Sequence, residues 1–121
     1  MKEPDEVFVS GITTHVLDTS HGRPAQGVPV TLEIEAAGRW TQIGSGETNA
    51  DGRITDLVPP ETNLAAGVYR LIFDTGKYFA NRQVETFYPH VTIVFQLPDP
   101  AQHYHVPLLL SPFGYSTYRG S

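Results

Sequence analysis

The sequence predicts an all-β sandwich, on three observations. First, its 121 residues fit one domain large enough to bury most of its apolar surface. Second, ten prolines and eleven glycines break the chain into short segments rich in Val, Ile, Thr, Tyr and Phe, the punctuation of many short strands. Third, Val28, Val30, Leu32 and Ile34 alternate with Pro29, Thr31, Glu33 and Glu35, which gives a strand one buried and one wet face.

Taken in order, strands are expected over residues 7–16, 28–36, 40–47, 68–74, 90–97, 103–110 and 114–119, with a very short one at Arg53-Ile54. Gly38-Arg39 marks a tight hairpin into Trp40. Asn49-Ala50-Asp51-Gly52 is a turn signature, because glycine supplies positive φ and Asn or Asp closes side-chain turns. The one helical candidate is residues 75–81, with Asp74 or Thr75 as N-cap. Residues 1–6, acidic and proline-bearing, read as a disordered lead, and residues 7–121 as one domain.

Composition excludes several classes of function. With 8 basic and 13 acidic residues the net charge is -5, which leaves no basic face for nucleic-acid phosphates or an anionic membrane. Cysteine is absent, so thiol catalysis, thiolate metal sites and disulfides are excluded. No apolar run is long enough to span a bilayer, and a soluble, cytoplasmic protein is expected. No Gly-x-Ser-x-Gly elbow is present, and Ser111 precedes a proline, so a serine hydrolase has little support.

The residues that carry chemistry lie in three places. His103 and His105 are at i and i+2, one face of a strand, where a solvated pair is the plain alternative to a site. His105 is the better candidate; His103 reads as peripheral, and His21 and His90 as exposed. Arg53 leaves the Asn49-Gly52 turn, which suits a fixed fork of donors for a carbonyl or oxyanion, against the alternative of a surface pair with Asp51 or Asp56. Tyr118-Arg119-Gly120-Ser121 follows an apolar strand pattern. Arg119 is expected to hold this tail, Tyr118 to pack at a subunit contact, Gly120 to permit close backbone approach and Ser121 to offer its hydroxyl and carboxylate; the alternative is a frayed end. Three histidines, His15, His103 and His105, could hold zinc if they converged, but no carboxylate motif accompanies them and no metal or cofactor is expected.

The stretch from His103-Tyr104-His105-Val106-Pro107 through Ser111-Pro112-Phe113-Gly114-Tyr115 to Tyr118-Arg119-Gly120-Ser121 resembles the end of the transthyretin-like family, in its 5-hydroxyisourate hydrolase branch. Thr13-Thr14-His15-Val16-Leu17-Asp18, Asn49-Ala50-Asp51-Gly52-Arg53 and Gly67-Val68-Tyr69-Arg70-Leu71 are similar to three further family motifs. The resemblance implies two four-stranded sheets with one short helix, and a homotetramer, a dimer of dimers, with ligand sites in its central channel. The edge-capable segment 103–110 with Leu108-Leu109-Leu110 suits such an assembly. It implies a cofactor-independent enzyme of urate degradation that opens 5-hydroxyisourate to 2-oxo-4-hydroxy-4-carboxy-5-ureidoimidazoline. Its catalytic residues would be His15, Arg53, His105 and Ser121, with Tyr118, Arg119 and Gly120 forming the site. The alternative is a small-ligand carrier of transthyretin type, which would favour apolar channel walls.

Overall fold

The computed structural model describes residues 11–121. The expected lead at 1–6 and the first residues of the strand expected at 7–16 lie outside the described residues. The elements are β1 (Ile12–Asp18), β2 (Arg23–Pro24), β3 (Pro29–Ala36), β4 (Arg39–Glu47), β5 (Arg53–Ile54), β6 (Gly67–Phe73), α1 (Thr75–Ala80), β7 (Val91–Leu97), β8 (Tyr104–Ser111) and β9 (Gly114–Thr117). They form two sheets. One runs β4-β3-β6-β7; the other runs β2-β1-β8-β9, with β5 also paired to β1. Because β8 occupies one edge of β1, β2 and β5 share the other at different heights, at Leu17–Asp18 and Thr14–His15 respectively. That sheet is therefore four strands wide although it holds five. The two-residue β2 was not expected from sequence, having no apolar alternation of its own to reveal it.

The inner faces are set by alternation. Val30 and Leu32 from β3, Tyr69, Leu71 and Phe73 from β6, Ile12 and Val16 from β1 and Leu108 and Leu110 from β8 are all buried. Segment 103–110 is therefore not an edge: β8 lies between β1 and β9, and Leu108 and Leu110 are core residues. Among the described residues, the unpaired sheet edges are β4, β7, β9 and the β2/β5 side.

Turn chemistry accounts for the remaining shifts. The hairpin between β3 and β4 turns on Ala37 and Gly38, at φ 53° and 75°, one residue earlier than expected. Two positive φ values in succession match the right-handed strand twist, so Arg39 is already paired with Ala36. Helix α1 starts where Asp74 accepts a hydrogen bond from the Lys77 amide at 3.1 Å. Strand β9 stops at Thr117, two residues short of expectation, and pairing resumes only at a bridge between His105 and Gly120. Proline explains the gap. Counting back in twos from the bonded pair at His105, the next position that should donate to the tail is Pro107, which has no N–H; its carbonyl instead accepts the Thr117 hydroxyl at 2.7 Å.

One polar cluster lies inside this core. Asp18, 1 % exposed, accepts hydrogen bonds from Tyr78 Oη and Ser20 Oγ, both at 2.6 Å, and faces His21 Nδ1 at 3.2 Å. It ties the end of β1 to α1. Burial pushes the Asp18 carboxyl up, but the donors from Ser20, Tyr78 and His21 outweigh it and hold the group below its ordinary 3.8. Burial and the Asp18 charge push the Tyr78 phenol up to about 12.

A hydrogen bond to a charged group contributes about 1.5–3 kcal/mol, so Tyr78→Phe should lose stability of about that size in urea unfolding at pH 7. A depressed carboxyl stabilises the fold above its unfolded value and ceases to do so as pH falls through the folded value. Tyr78→Phe raises the folded value, so the acid unfolding midpoint should move to higher pH. An unchanged acid midpoint would show that Tyr78 packs without restraining the carboxylate.

Candidate active site

Of the expected site residues, His15, Arg53, His105 and Ser121 lie on the outer face of the sheet that contains β1 and β8. Along β1, Ile12, Thr14, Val16 and Asp18 point into the sandwich, which leaves Thr13, His15 and Leu17 for the opposite face. The β1–β8 pairing is parallel and sets Thr13 beside His105; the β1–β5 pairing sets His15 beside Arg53; the terminal bridge sets Gly120 beside His105. Arg53, His15, Thr13, His105 and the tail thus form one row across four strand positions.

Arg53 is presented by a rigid turn. Asn49 Oδ1 accepts from the amides of Asp51 and Arg53 at 2.9 and 3.0 Å, and the Asn49 amide donates to the Arg53 carbonyl at 3.0 Å. Gly52, at φ 74°, donates to the Asn49 carbonyl, and its own carbonyl accepts from Val16 at 2.7 Å. A Cβ at this position would lie 2.4 Å from the Val16 carbonyl oxygen, so only glycine fits the turn against β1. The ion pairs among the described residues are His21–Asp18 and Arg70–Glu33. The guanidinium of Arg53 is therefore not committed to Asp51 or Asp56.

A cleft of about 270 Å³ opens here, lined by Thr13, Arg53, Thr55, His103, His105 and Ser121 together with Thr14. His103, expected to be peripheral, is part of its wall. Thr13, which the sequence reading did not single out, is 5 % exposed and joins the two imidazoles: its hydroxyl is 2.9 Å from His103 Nε2 and 2.8 Å from His105 Nδ1. The available signal was its position two residues before His15 on a strand. His15 lies outside the cleft lining, beside Arg53 in the strand register. Among the described residues no three His, Asp or Glu side chains group closely enough to hold a metal ion.

The tail divides between two faces. The Gly120 amide donates to the His105 carbonyl at 2.8 Å, and a Cβ on Gly120 would meet His105 Cδ2 at 2.6 Å and Pro107 Cγ at 3.3 Å. The glycine thus lets the backbone cover the imidazole edge. Ser121 reaches the cleft. Arg119 does not: its guanidinium stacks 4.5 Å over the Tyr104 ring and donates to Gln102 Oε1 at 3.2 Å. Tyr118 and Arg119 line a separate groove with Ile93, Phe95 and Val106.

Both row histidines titrate below the ordinary 6.5. For His15 the causes are burial and then the Arg53 charge, partly opposed by the carbonyl and carboxylate of Asp51. For His105 they are burial, Arg53, His103 and His15. Each is therefore neutral at pH 7, able to accept a proton. Arg53→Met removes a shared cause and leaves burial in place. Titration of the imidazole protons by NMR should show both values rise; no movement at either would separate Arg53 electrically from the row.

Comparison with known proteins places this geometry. Residues 12–120 match the HIUase/Transthyretin family. A probable 5-hydroxyisourate hydrolase of Caenorhabditis elegans is 51 % identical over 115 residues, covering 95 % of this chain and 84 % of the relative. The crystal structure of sea bream transthyretin in complex with thyroxine superposes with a TM-score of 0.84 at 38 % identity, over 91 % of this chain and 94 % of that one. The structure of Klebsiella pneumoniae 5-hydroxyisourate hydrolase does so with a TM-score of 0.78 at 39 % identity, over 91 % and 98 %. A thyroxine-bound transthyretin and a hydrolase are thus about equally similar in backbone, and the difference between them must be sought in side chains. By its motifs, its two-sheet topology and these matches, the chain belongs to the HIUase/Transthyretin family.

Proposed function

We propose that this protein is a 5-hydroxyisourate hydrolase, a metal-free enzyme of urate degradation. The observation that carries this reading is the guanidinium of Arg53, in no ion pair among the described residues, sharing one cleft with His105, with neutral His15 beside it. A carrier of an apolar aromatic ligand has no use for two neutral imidazoles and a guanidinium in its binding surface. Opening a ring amide with water needs such groups.

In this reading the planar, polar ring lies against the outer face of the sheet. A neutral imidazole of the His15 and His105 pair takes a proton from water as its oxygen adds to the ring carbonyl. Arg53 holds the oxyanion that develops there. The carbon–nitrogen bond then breaks, and the imidazolium returns its proton to the leaving nitrogen, giving the ring-opened carboxylate. Ser121 orients water or the ring, Gly120 lets the tail close on His105, and Arg119 fixes the tail by its stack on Tyr104. Assembly as a tetramer, with this face lining a channel, is part of the proposal. The exposed Phe87, Val94, Tyr115 and Tyr118, near the unpaired edges of β7 and β9, support it. The single domain at residues 7–121 and the cytoplasmic setting expected from sequence belong to the same reading.

The test is loss of the ring chromophore of fresh 5-hydroxyisourate against its spontaneous rate, with and without exhaustive chelation. His15→Asn and His105→Asn should each lower kcat by roughly 10²-fold or more while sedimentation still shows a tetramer; His103→Asn should cost less. Wild-type turnover no faster than the spontaneous rate, or His105→Asn at full rate, would overturn the assignment.

Deleting residues 118–121 uncovers the His105 ring edge and removes Ser121 from the cleft. Misplacing a site group by about 1 Å can cost ~10²-fold, so turnover should fall by at least that much. The fold should survive, because β9 ends at Thr117. Full activity in the truncated protein would reduce the tail to a frayed end.

A further inference from the structure

Thr13 has one proton to share between two imidazoles. Its hydroxyl lies 2.9 Å from His103 Nε2 and 2.8 Å from His105 Nδ1, both within ordinary hydrogen-bonding distance. A hydroxyl donates once and can accept twice; Thr13 is buried and its hydroxyl has no third partner among the described residues, so its proton goes to one ring and the other ring donates to it. Two arrangements satisfy this. In the first, His103 Nε2–H donates to Thr13 and Thr13 donates to His105 Nδ1; neutral His105 then carries its proton on Nε2. In the second, His105 Nδ1–H donates to Thr13 and Thr13 donates to His103 Nε2; neutral His105 then has a bare Nε2. The direction of one O–H bond therefore decides which nitrogen of His105 is basic.

The surroundings favour the second arrangement. Among the described residues, no group hydrogen-bonds to His105 Nε2. The guanidinium of Arg53 shares the cleft, and a cation there favours a lone pair over an N–H pointing into the same space. The other groups that face the chain are His15 on β1 and Ser121 after β9. Thr13 itself is held: it sits on β1, between the bonds of Tyr104 N to Gly11 O at 2.7 Å and of Thr14 Oγ1 to Val106 O at 2.7 Å, so its side chain cannot drift from β8.

We propose that Thr13 is a positioning residue that keeps neutral His105 in the Nδ1–H form, so that Nε2 is the base, and that couples His105 to His103. The catalytic part rests on the hydrolase reading above. When Nε2 takes a proton from water, His105 can pass its Nδ1 proton to Thr13 Oγ1 as Thr13 passes its own to His103 Nε2. No atom is gained or lost: the positive charge moves to His103, and His105 is left with Nε2–H ready to donate to the leaving nitrogen. Reversal of both transfers restores the starting state. His103 thus holds the charge for part of the cycle, a role its position two residues from His105 permits and its contact with Thr13 specifies.

The experiment compares wild type with Thr13→Val, Thr13→Ser, His103→Asn and the Thr13→Val, His103→Asn pair. Long-range proton–nitrogen NMR of His105 at a pH above its titration reads the tautomer directly and needs no substrate. Wild type and Thr13→Ser should show Nδ1–H; Thr13→Val should shift His105 toward Nε2–H. In turnover, Thr13→Val should lower kcat by about 10- to 100-fold with little change in KM and a displaced acid limb of the pH profile, and Thr13→Ser should restore most of the rate. The double variant should be no slower than the slower single one, because both changes break the same proton chain. An unchanged His105 tautomer in Thr13→Val would overturn the proposal whatever the activity. A shifted tautomer in a protein that does not turn over 5-hydroxyisourate would instead sustain the control by Thr13 and sink the hydrolase reading. A rate lost in Thr13→Ser as fully as in Thr13→Val, or additive losses in the double variant, would reduce Thr13 to packing.

Discussion

The parallel pairing of β1 with β8 is the constraint on which the rest of the structure depends. It joins Ile12–Asp18 to Tyr104–Leu110 residue by residue, and it is the only parallel ladder among the described strands. Its register is enforced from the inside by Ile12, Val16, Leu108 and Leu110, all buried. A slip of one residue would turn those apolar groups out to solvent. The same register fixes the outer face, so the packing of four aliphatic side chains decides that Thr13 stands beside His105 and that His15 is one step along, beside Arg53. The chemistry inherits its geometry from the core.

Much of this was legible in the sequence. The alternation that marked β3 as half buried is observed, and the His-x-His spacing did place both imidazoles on one face. The turn before Arg53 was readable because Asn49 and Gly52 have few other reasons to stand at that spacing. What stayed hidden were facts of register and pairing. The gap between Thr117 and Gly120 depends on which way the Pro107 nitrogen faces, which no single strand reveals. Thr13 is an ordinary strand threonine until β8 is laid against it, and His103 is a surface histidine until Thr13 is there to receive it. The partners of Arg119, the Tyr104 ring on the inner face of β8 and Gln102 just before that strand, were equally hidden.

Similar likeness to a thyroxine-bound transthyretin and to a hydrolase means that the backbone alone does not decide function in this fold. The sandwich core does not distinguish them. In this chain a strip a few residues wide on the outer surface of one sheet carries imidazole, guanidinium and hydroxyl groups at positions the core packing does not use. Such positions change without cost to packing, which is how one backbone comes to serve unrelated chemistry.

The β1–β8 ladder also has a kinetic meaning. About 90 residues of chain separate Thr13 from His105, and closing a loop that long costs entropy growing as (3/2)RT ln n before any contact offsets it. Hairpins such as β3–β4 and β6–β7 can form locally and early, whereas β1 must wait for a partner at the other end of the sequence. Topologies of this kind fold slowly for their size. The cleft, built across that last-made seam, should therefore be the final part of the molecule to take shape, and activity should lag behind the appearance of the hairpin sheet during refolding.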